Sequence, residues 1–388
     1  MLPFRSLIPA AALLAACNAG SDVDAAPAIV APAPTTTATP APAPSPTTGG
    51  LPFATREVAT FNAPWAMTFL PDGRMLVTEK GGTLLLVSAD GTQKTTAATI
   101  PVDSAGQGGL MDVVLAPNFA SSRRVYLSYS VAGDGGKGVV LARGVLDGNR
   151  VTGLTELFRA TPFVSGDGHY SGRIAFAPDG QHLFFTNGER QKFDPAQDPK
   201  ATLGKVLRLT LDGQPAGDPG LTAKGFHPAV WSYGHRNLLG IAFDAQGNLW
   251  KQEMGPKGGD EVNLILAGRN YGYPLVSEGD HYDGRPIPRH STRPDLEAPK
   301  VAWNPVISPG GLIVYSGRMF PQYAGDLFIG GLSSEALVRV DVNGTNAAKG
   351  DQWPMNARIR EVEEGPDGAL WVLQDGANAK LLKLTPRS

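Results

Sequence analysis

The chain has 388 residues, 42% of them hydrophobic, which is enough apolar material for a sizeable globular core. Its 34 Lys and Arg nearly balance its 36 Asp and Glu, and the formal charge of −2 excludes the long-range basic field that would draw a nucleic-acid partner. The one cysteine excludes a disulfide within the chain.

The N-terminus, MLPFRSLIPAAALLAAC, places Arg5 in a short leading region, then an apolar run through Leu14, then small residues ahead of Cys17. This reads as a secretory signal, too short to span a bilayer as a helix. Leu14-Ala15-Ala16-Cys17 resembles a bacterial lipobox, so the expectation is an exported, periplasm-facing lipoprotein that meets the membrane only through a lipid on Cys17. Residues 18–50 are almost entirely Ala, Pro, Thr, Ser, Val, Gly and Asp. Such a composition buries too little apolar surface to offset its ordering entropy, and its prolines favour an extended tether.

Residues 51–388 repeat one theme: an apolar strand, a turn of the Pro-Asp-Gly kind, and another strand. FLPDGRMLVTE, FAPDGQHLFFTNGE, FDAQGNLWKQE and EGPDGALWVLQDG are four copies, and LAPNFASSRRVYLSYS is a looser fifth. Asp-Gly supplies the positive φ angles of tight hairpins. The turns recur every 45 to 70 residues or so, with one gap of about twice that, a period that points to propeller blades. Lys205–Leu211, Ala336–Val342 and Lys380–Leu384 alternate with period two and read as further strands. No long 3.6-residue stripe interrupts them. With blades of about 55 residues, the segment holds about six, so the predicted fold is an all-β, six-bladed propeller.

Several motifs lack the context their chemistry needs. GDGGKG at 133–138 fits GxGxxG but is followed by the strand-like VVLARGVL, and so reads as a hairpin loop. The six histidines show no HExxH pattern and no close pairing, and there is no GxSxG elbow.

Polar clusters interrupt the apolar strands at Gln107, at His169 and Arg173, at His235-Arg236-Asn237, and at Gly255-Pro256 with Glu261. Arg358 and Arg360, two apart, share one face of a strand. Read singly, each has a structural alternative: a turn histidine, a Gly-Pro turn, arginines paired with Asp375 or Glu361. In a propeller, loops from different blades converge at one mouth of the channel, where distant residues can form one site.

The ordered series GQGGLMDV, HYSGRIAF, GERQ, GKVLRL, SYGHRN, GPKGGDEVNLI, NYGYP, LFIGGL and RIREVEEGPDG resembles the soluble glucose and aldose sugar dehydrogenases that use pyrroloquinoline quinone (PQQ). The resemblance implies PQQ at the channel mouth, contacted by Gln107, Arg236, Asn237, Arg358 and Arg360, with Ca²⁺ on the backbone carbonyls of Gly255 and Pro256. It further implies His169 as general base, oriented by a carboxylate at Glu189, and a second Ca²⁺ at Glu261 and the backbone of Tyr271. The implied reaction is oxidation of an aldose at C1 to the lactone, with Arg236 stabilising charge on the quinone oxygen and an unidentified periplasmic carrier accepting the electrons. His235 is expected to support its turn.

Three departures qualify the match. Glu189 stands where the family usually has Asp, Leu238-Leu239 replace Pro-Gln and are expected to make the rim more apolar, and Ser333-Ser334 replace a cofactor-contacting Lys of some members. The rival readings are a calcium-dependent sugar lactonase and a non-catalytic propeller that binds glycans or proteins.

Overall fold

The computed structural model describes residues 50–387. The signal, Cys17 and the linker up to Gly50 lie outside the described residues. Period-two alternation between short turns produces six four-stranded antiparallel sheets. In chain order, blade 1 comprises Pro64–Phe69, Met75–Glu79, Thr83–Val87 and Lys94–Thr99, and blade 2 comprises Leu110–Leu115, Arg124–Gly133, Gly136–Asp147 and Arg150–Arg159. Blade 3 comprises Ser171–Phe176, His182–Asn187, Lys205–Thr210 and Val230–Tyr233, and blade 4 Asn237–Phe243, Leu249–Met254, Asp260–Ile265 and Val301–Trp303. Blade 5 comprises Pro309–Val314, Leu327–Gly331, Ala336–Asn343 and Asn346–Pro354. Blade 6 is composite: Ile359–Glu364, Leu370–Gln374 and Ala379–Pro386 are completed by the N-terminal strand Phe53–Phe61.

That fourth strand pairs Phe61 with Ala379 and Phe53 with Pro386, so backbone hydrogen bonds between the two ends of the domain close the ring. The first strand of each blade lies innermost, each against the next, back to blade 1. This is the expected six-bladed propeller. Apolar side chains on facing sheets hold neighbouring blades together: Phe184, Val206, Leu238 and Ile241 between blades 3 and 4, and Met67, Val77, Trp371 and Leu373 between blades 6 and 1.

The five turn copies prove to be one structural feature, the link between a blade's first and second strands. The doubled gap is blade 5, whose link runs from Tyr315 to Asp326 with a 3₁₀ turn at Pro321–Tyr323. GDGGKG is the expected hairpin, with Gly133 opposite Gly136. The one α-helix among the described residues is the four-residue Phe119–Ser122, inside the looser fifth turn.

Arg173 lies in the channel. From blade 3 it reaches Asp112 of blade 2 at 3.2 Å and Glu361 of blade 6 at 2.5 Å, with its guanidinium 4.1 Å from the ring centre of Trp65 in blade 1. Burial pushes the Glu361 carboxyl up to about 7 despite the arginine beside it. Its Nε also donates to the Leu239 carbonyl of blade 4 at 2.8 Å, so one charged side chain ties five blades together.

Candidate functional site

The inner strands start at the same end of the channel, and a cavity of about 410 Å³ opens there. Its floor includes Trp65, Met111 and Leu239; its walls carry Lys80, Gln107, Asn237, Arg358 and Arg360. A second cavity of about 300 Å³ is lined by His169, Glu189, Arg236, Pro256, Phe193, Tyr273 and Tyr282. The segments 169–171 and 236–237 contribute to both, so the two spaces share a wall.

His169 precedes the inner strand of blade 3 with φ of 50°, and Ser171 has φ of 63°, both in the left-handed region that non-glycine residues rarely occupy. Strained backbone of this kind concentrates at functional sites. The His169 amide donates to Gln107 Oε1 at 2.7 Å, which joins two of the sequence clusters. His169 Nδ1 is hydrogen-bonded to Glu189 Oε1, while Glu189 Oε2 accepts the amides of Lys192 at 2.6 Å and Phe193 at 2.8 Å. Gly188 permits this approach, since a Cβ there would lie 2.1 Å from the His169 carbonyl oxygen.

Burial raises the Glu189 carboxyl, but its bond to His169 and the Phe193 amide outweigh that and hold it below the usual range. Burial is also the main influence on His169, and it lowers the imidazole below 6.5 despite the contact with Glu189. An ionised Glu189 fixes the proton on Nδ1 and leaves Nε2 with a free lone pair.

His235, Arg236 and Asn237 serve different ends. His235 is wholly buried, donates to or accepts from Ser232 Oγ at 2.8 Å, and stacks on Tyr271 with ring centres 4.7 Å apart. Burial drives it down to about 4, so it is a neutral prop for the turn, as expected. The Arg236 amide is held by Glu253 Oε2 at 2.6 Å, and its Nη1 donates to the carbonyls of Met254 at 3.0 Å and Gly255 at 2.6 Å. Arg236 Nε is buried without a partner. Asn237 Oδ1 accepts from Ser171 Oγ at 3.2 Å, leaving its amide facing the larger cavity beside Met254 Sδ.

Gly255-Pro256 follows the second strand of blade 4 and is shaped by Asp260. One carboxylate oxygen of Asp260 accepts the Gly255 amide at 2.8 Å; the other accepts Ile307 at 2.8 Å and Ser308 at 2.6 Å. Among the described residues no cluster of three or more His, Cys, Asp or Glu can hold a metal. A cation at Gly255-Pro256 would rest on carbonyls, the hard oxygens that Ca²⁺ prefers, one of which, that of Gly255, also accepts Arg236 Nη1.

Glu261 sits opposite Glu253 in the sheet, and its Oε2 is buried without a partner. Burial and the charge of Glu253 push Glu261 up to about 8. Lys251 Nζ is 2.6 Å from Glu253 Oε1, and the Tyr271 carbonyl lies 3.1 Å from His290 Nε2. An imidazole thus already contacts the Tyr271 carbonyl of this second donor set, and an ammonium holds the neighbouring Glu253.

Arg358 and Arg360 both face the larger cavity and both pair with Asp375, at 2.8 and 2.9 Å. Their alternative sequence reading is therefore true as well, except that Glu361 turns to Arg173. Leu238 departs from expectation. It is buried between blades 3 and 4 rather than at the rim, because successive strand residues face opposite sides, and only Leu239 reaches the cavity. Ser333 is exposed beside Leu332, outside the cavity lining. The sequence reading missed Glu253, Asp260 and Lys80, whose roles depend on backbone groups that the fold brings to them from elsewhere in the chain.

Residues 61–383 match the profile of the family described as glucose/sorbosone dehydrogenase. The chain is 40% identical over 336 residues to the aldose sugar dehydrogenase YliI of Escherichia coli strain K12, covering 84% of this chain and 90% of that protein. The apo crystal structure of the soluble aldose sugar dehydrogenase from Escherichia coli superposes with a TM-score of 0.80 at 37% identity, over 86% of this chain and all of the other. The PQQ-bound aldose sugar dehydrogenase of Streptomyces coelicolor gives a TM-score of 0.70 at 29% identity, over 88% and 100% of the two chains.

Proposed function

The chain belongs to the glucose/sorbosone dehydrogenase family, and from that premise and the paired cavities we propose that it oxidises aldose sugars at C1 to lactones with PQQ and Ca²⁺. The observation that carries this reading is the His169–Glu189 pair in one cavity, sharing a wall with a second cavity lined by cationic and amide donors. PQQ is planar and carries three carboxylates, so Arg358, Arg360, Gln107 and Asn237 suit it, and the unpartnered Nε of Arg236 is a buried donor awaiting an acceptor. The carbonyls of Gly255 and Pro256 would hold Ca²⁺ together with oxygens of the cofactor. A second ion would use the free oxygen of Glu261 and the Tyr271 carbonyl, away from the reacting atoms.

When bound, PQQ supplies an ortho-quinone that accepts the C1 hydride, and Ca²⁺ adds Lewis-acid polarisation. The chain's own residues handle the proton. His169 Nε2 takes it from the anomeric hydroxyl, and Glu189 holds the ring in the required tautomer and stabilises the imidazolium that results. Arg236, buried and fixed through its amide by Glu253, provides positive charge where negative charge develops. Phe193, Tyr273 and Tyr282 supply aromatic walls for the apolar faces of a sugar ring.

The signal and lipobox support export and anchoring at Cys17, with the electron acceptor a carrier facing the same compartment. The lactonase alternative is disfavoured by the absence, among the described residues, of a carboxylate-rich metal cluster in the channel.

The functional test is reconstitution of the apo-protein with PQQ and Ca²⁺, followed by a dye-linked aldose oxidation assay. A ligand selective for the native state at 100 times its Kd adds about 2.7 kcal/mol of stability, so the melting temperature should rise and calcium chelation should reverse the gain. An unchanged melting curve at high PQQ would favour the non-catalytic propeller.

A pH profile checks the base. His169 must be neutral to accept a proton, and burial lowers its pKa from the ordinary histidine value, so the acid limb of turnover should be centred below 6.5. An acid limb centred above 6.5 would remove His169 from this role.

A further inference from the structure

Three cations line the larger cavity, and two of them already share one carboxylate. Arg358 and Arg360 share Asp375, whereas Lys80 has no carboxylate within 4.0 Å among the described residues. Its ammonium makes one hydrogen bond, to the Gly106 carbonyl at 2.5 Å, which leaves two N–H groups for a ligand.

The backbone around Lys80 is fixed on both sides. Its amide donates to the Ala63 carbonyl at 2.9 Å, and its own carbonyl accepts the Leu110 amide at 3.1 Å. Gly109, with φ of 130°, allows that close approach, since a Cβ there would fall 2.3 Å from the Lys80 oxygen. Lys80 therefore ties blade 1 to the blade 2 loop that carries Gln107, and Gln107 in turn holds the His169 amide.

We propose that Lys80 is the principal carboxylate-binding cation of the larger cavity, bridging the Gly106 carbonyl and a carboxylate of the bound planar polyanion. The inference rests on the reading of that cavity as the PQQ site. A cation without a protein counter-ion, on a backbone held from two blades, binds an incoming carboxylate with little reorganisation. Arg358 and Arg360 must share any new anion with Asp375, so they orient the ligand more than they attract it. The ligand's charge thereby presses on the loop that positions Gln107.

The test is a PQQ titration of the apo-protein at fixed Ca²⁺, read by quenching of tryptophan fluorescence, since Trp65 lines the same cavity. Lys80→Met should raise the Kd about ten- to hundred-fold, the usual effect of losing one charge-assisted contact. Lys80→Arg, which keeps the charge, should recover most of that loss. Wild type should also lose affinity more steeply than Lys80→Met as salt is added, because screening acts on the charge the variant lacks. Equal affinity in wild type and Lys80→Met overturns the inference while leaving the PQQ site intact. A loss that Lys80→Arg does not reverse, or an unchanged salt dependence, overturns it too, because the side chain would then be only a prop for the loop. Failure of wild type to bind PQQ overturns the reading of the cavity, and this inference with it.

Discussion

His169→Asn should retain PQQ binding and lower turnover by about 10²- to 10⁴-fold, the usual contribution of a general base. The retained binding follows from the structure. His169 lines the smaller cavity, and its tie to Gln107 runs through its backbone amide, which the substitution preserves. Asn is the suitable replacement because residue 169 has φ of 50°, a conformation Asn tolerates better than most side chains. Steady-state turnover at saturating PQQ, with a separate PQQ titration, distinguishes loss of chemistry from loss of cofactor. Turnover close to wild type would exclude His169 as the base. The companion change Glu189→Gln keeps a hydrogen-bond acceptor at Nδ1 but removes the charge that stabilises imidazolium, so a smaller loss is expected.

Asp260→Ala should destabilise the protein by about 3–5 kcal/mol and abolish the calcium-dependent part of the PQQ response. The carboxylate accepts three backbone amides, from Gly255, Ile307 and Ser308, and each amide left buried without an acceptor costs roughly 1–3 kcal/mol. The same bonds join blade 4 to the start of blade 5 and fix the backbone entering the Gly255-Pro256 turn. Urea unfolding of the apo-protein measures the first effect, and a melting series with PQQ at varied Ca²⁺ the second. Asp260→Asn keeps one oxygen acceptor and should fall between Asp260→Ala and wild type. A stable Asp260→Ala protein with an undiminished calcium response would show that the Gly255-Pro256 turn does not depend on this residue.

The strands at Lys205–Thr210, Ala336–Asn343 and Ala379–Pro386, and the Pro-Asp-Gly turns before the second strands, were determined by local chemistry. Alternation of apolar and polar side chains and the positive φ of Asp-Gly act within a few residues, so one strand and its turn can be read without the rest of the chain. Blade number followed from the repeat, although blade 5 hid its turn in the longer link from Tyr315 to Asp326. The residue types at His169, Arg236 and Arg358 were equally visible, together with the chemistry they permit.

Only the tertiary structure decided which of these side chains meet and what holds them. Closure of the ring depends on Phe61 finding Ala379, and the base depends on His169 finding Glu189 across a loop that Gly188 leaves room for. Glu253 and Asp260 look like ordinary strand carboxylates until backbone amides from Arg236, Gly255, Ile307 and Ser308 converge on them. Lys80 precedes a Gly-Gly turn in the sequence, yet it faces the larger cavity without a counter-ion. The reason is physical: sequence periodicity specifies which way a side chain points from its own strand, whereas hydrogen-bond partners and charge balance in a cavity depend on residues from other blades.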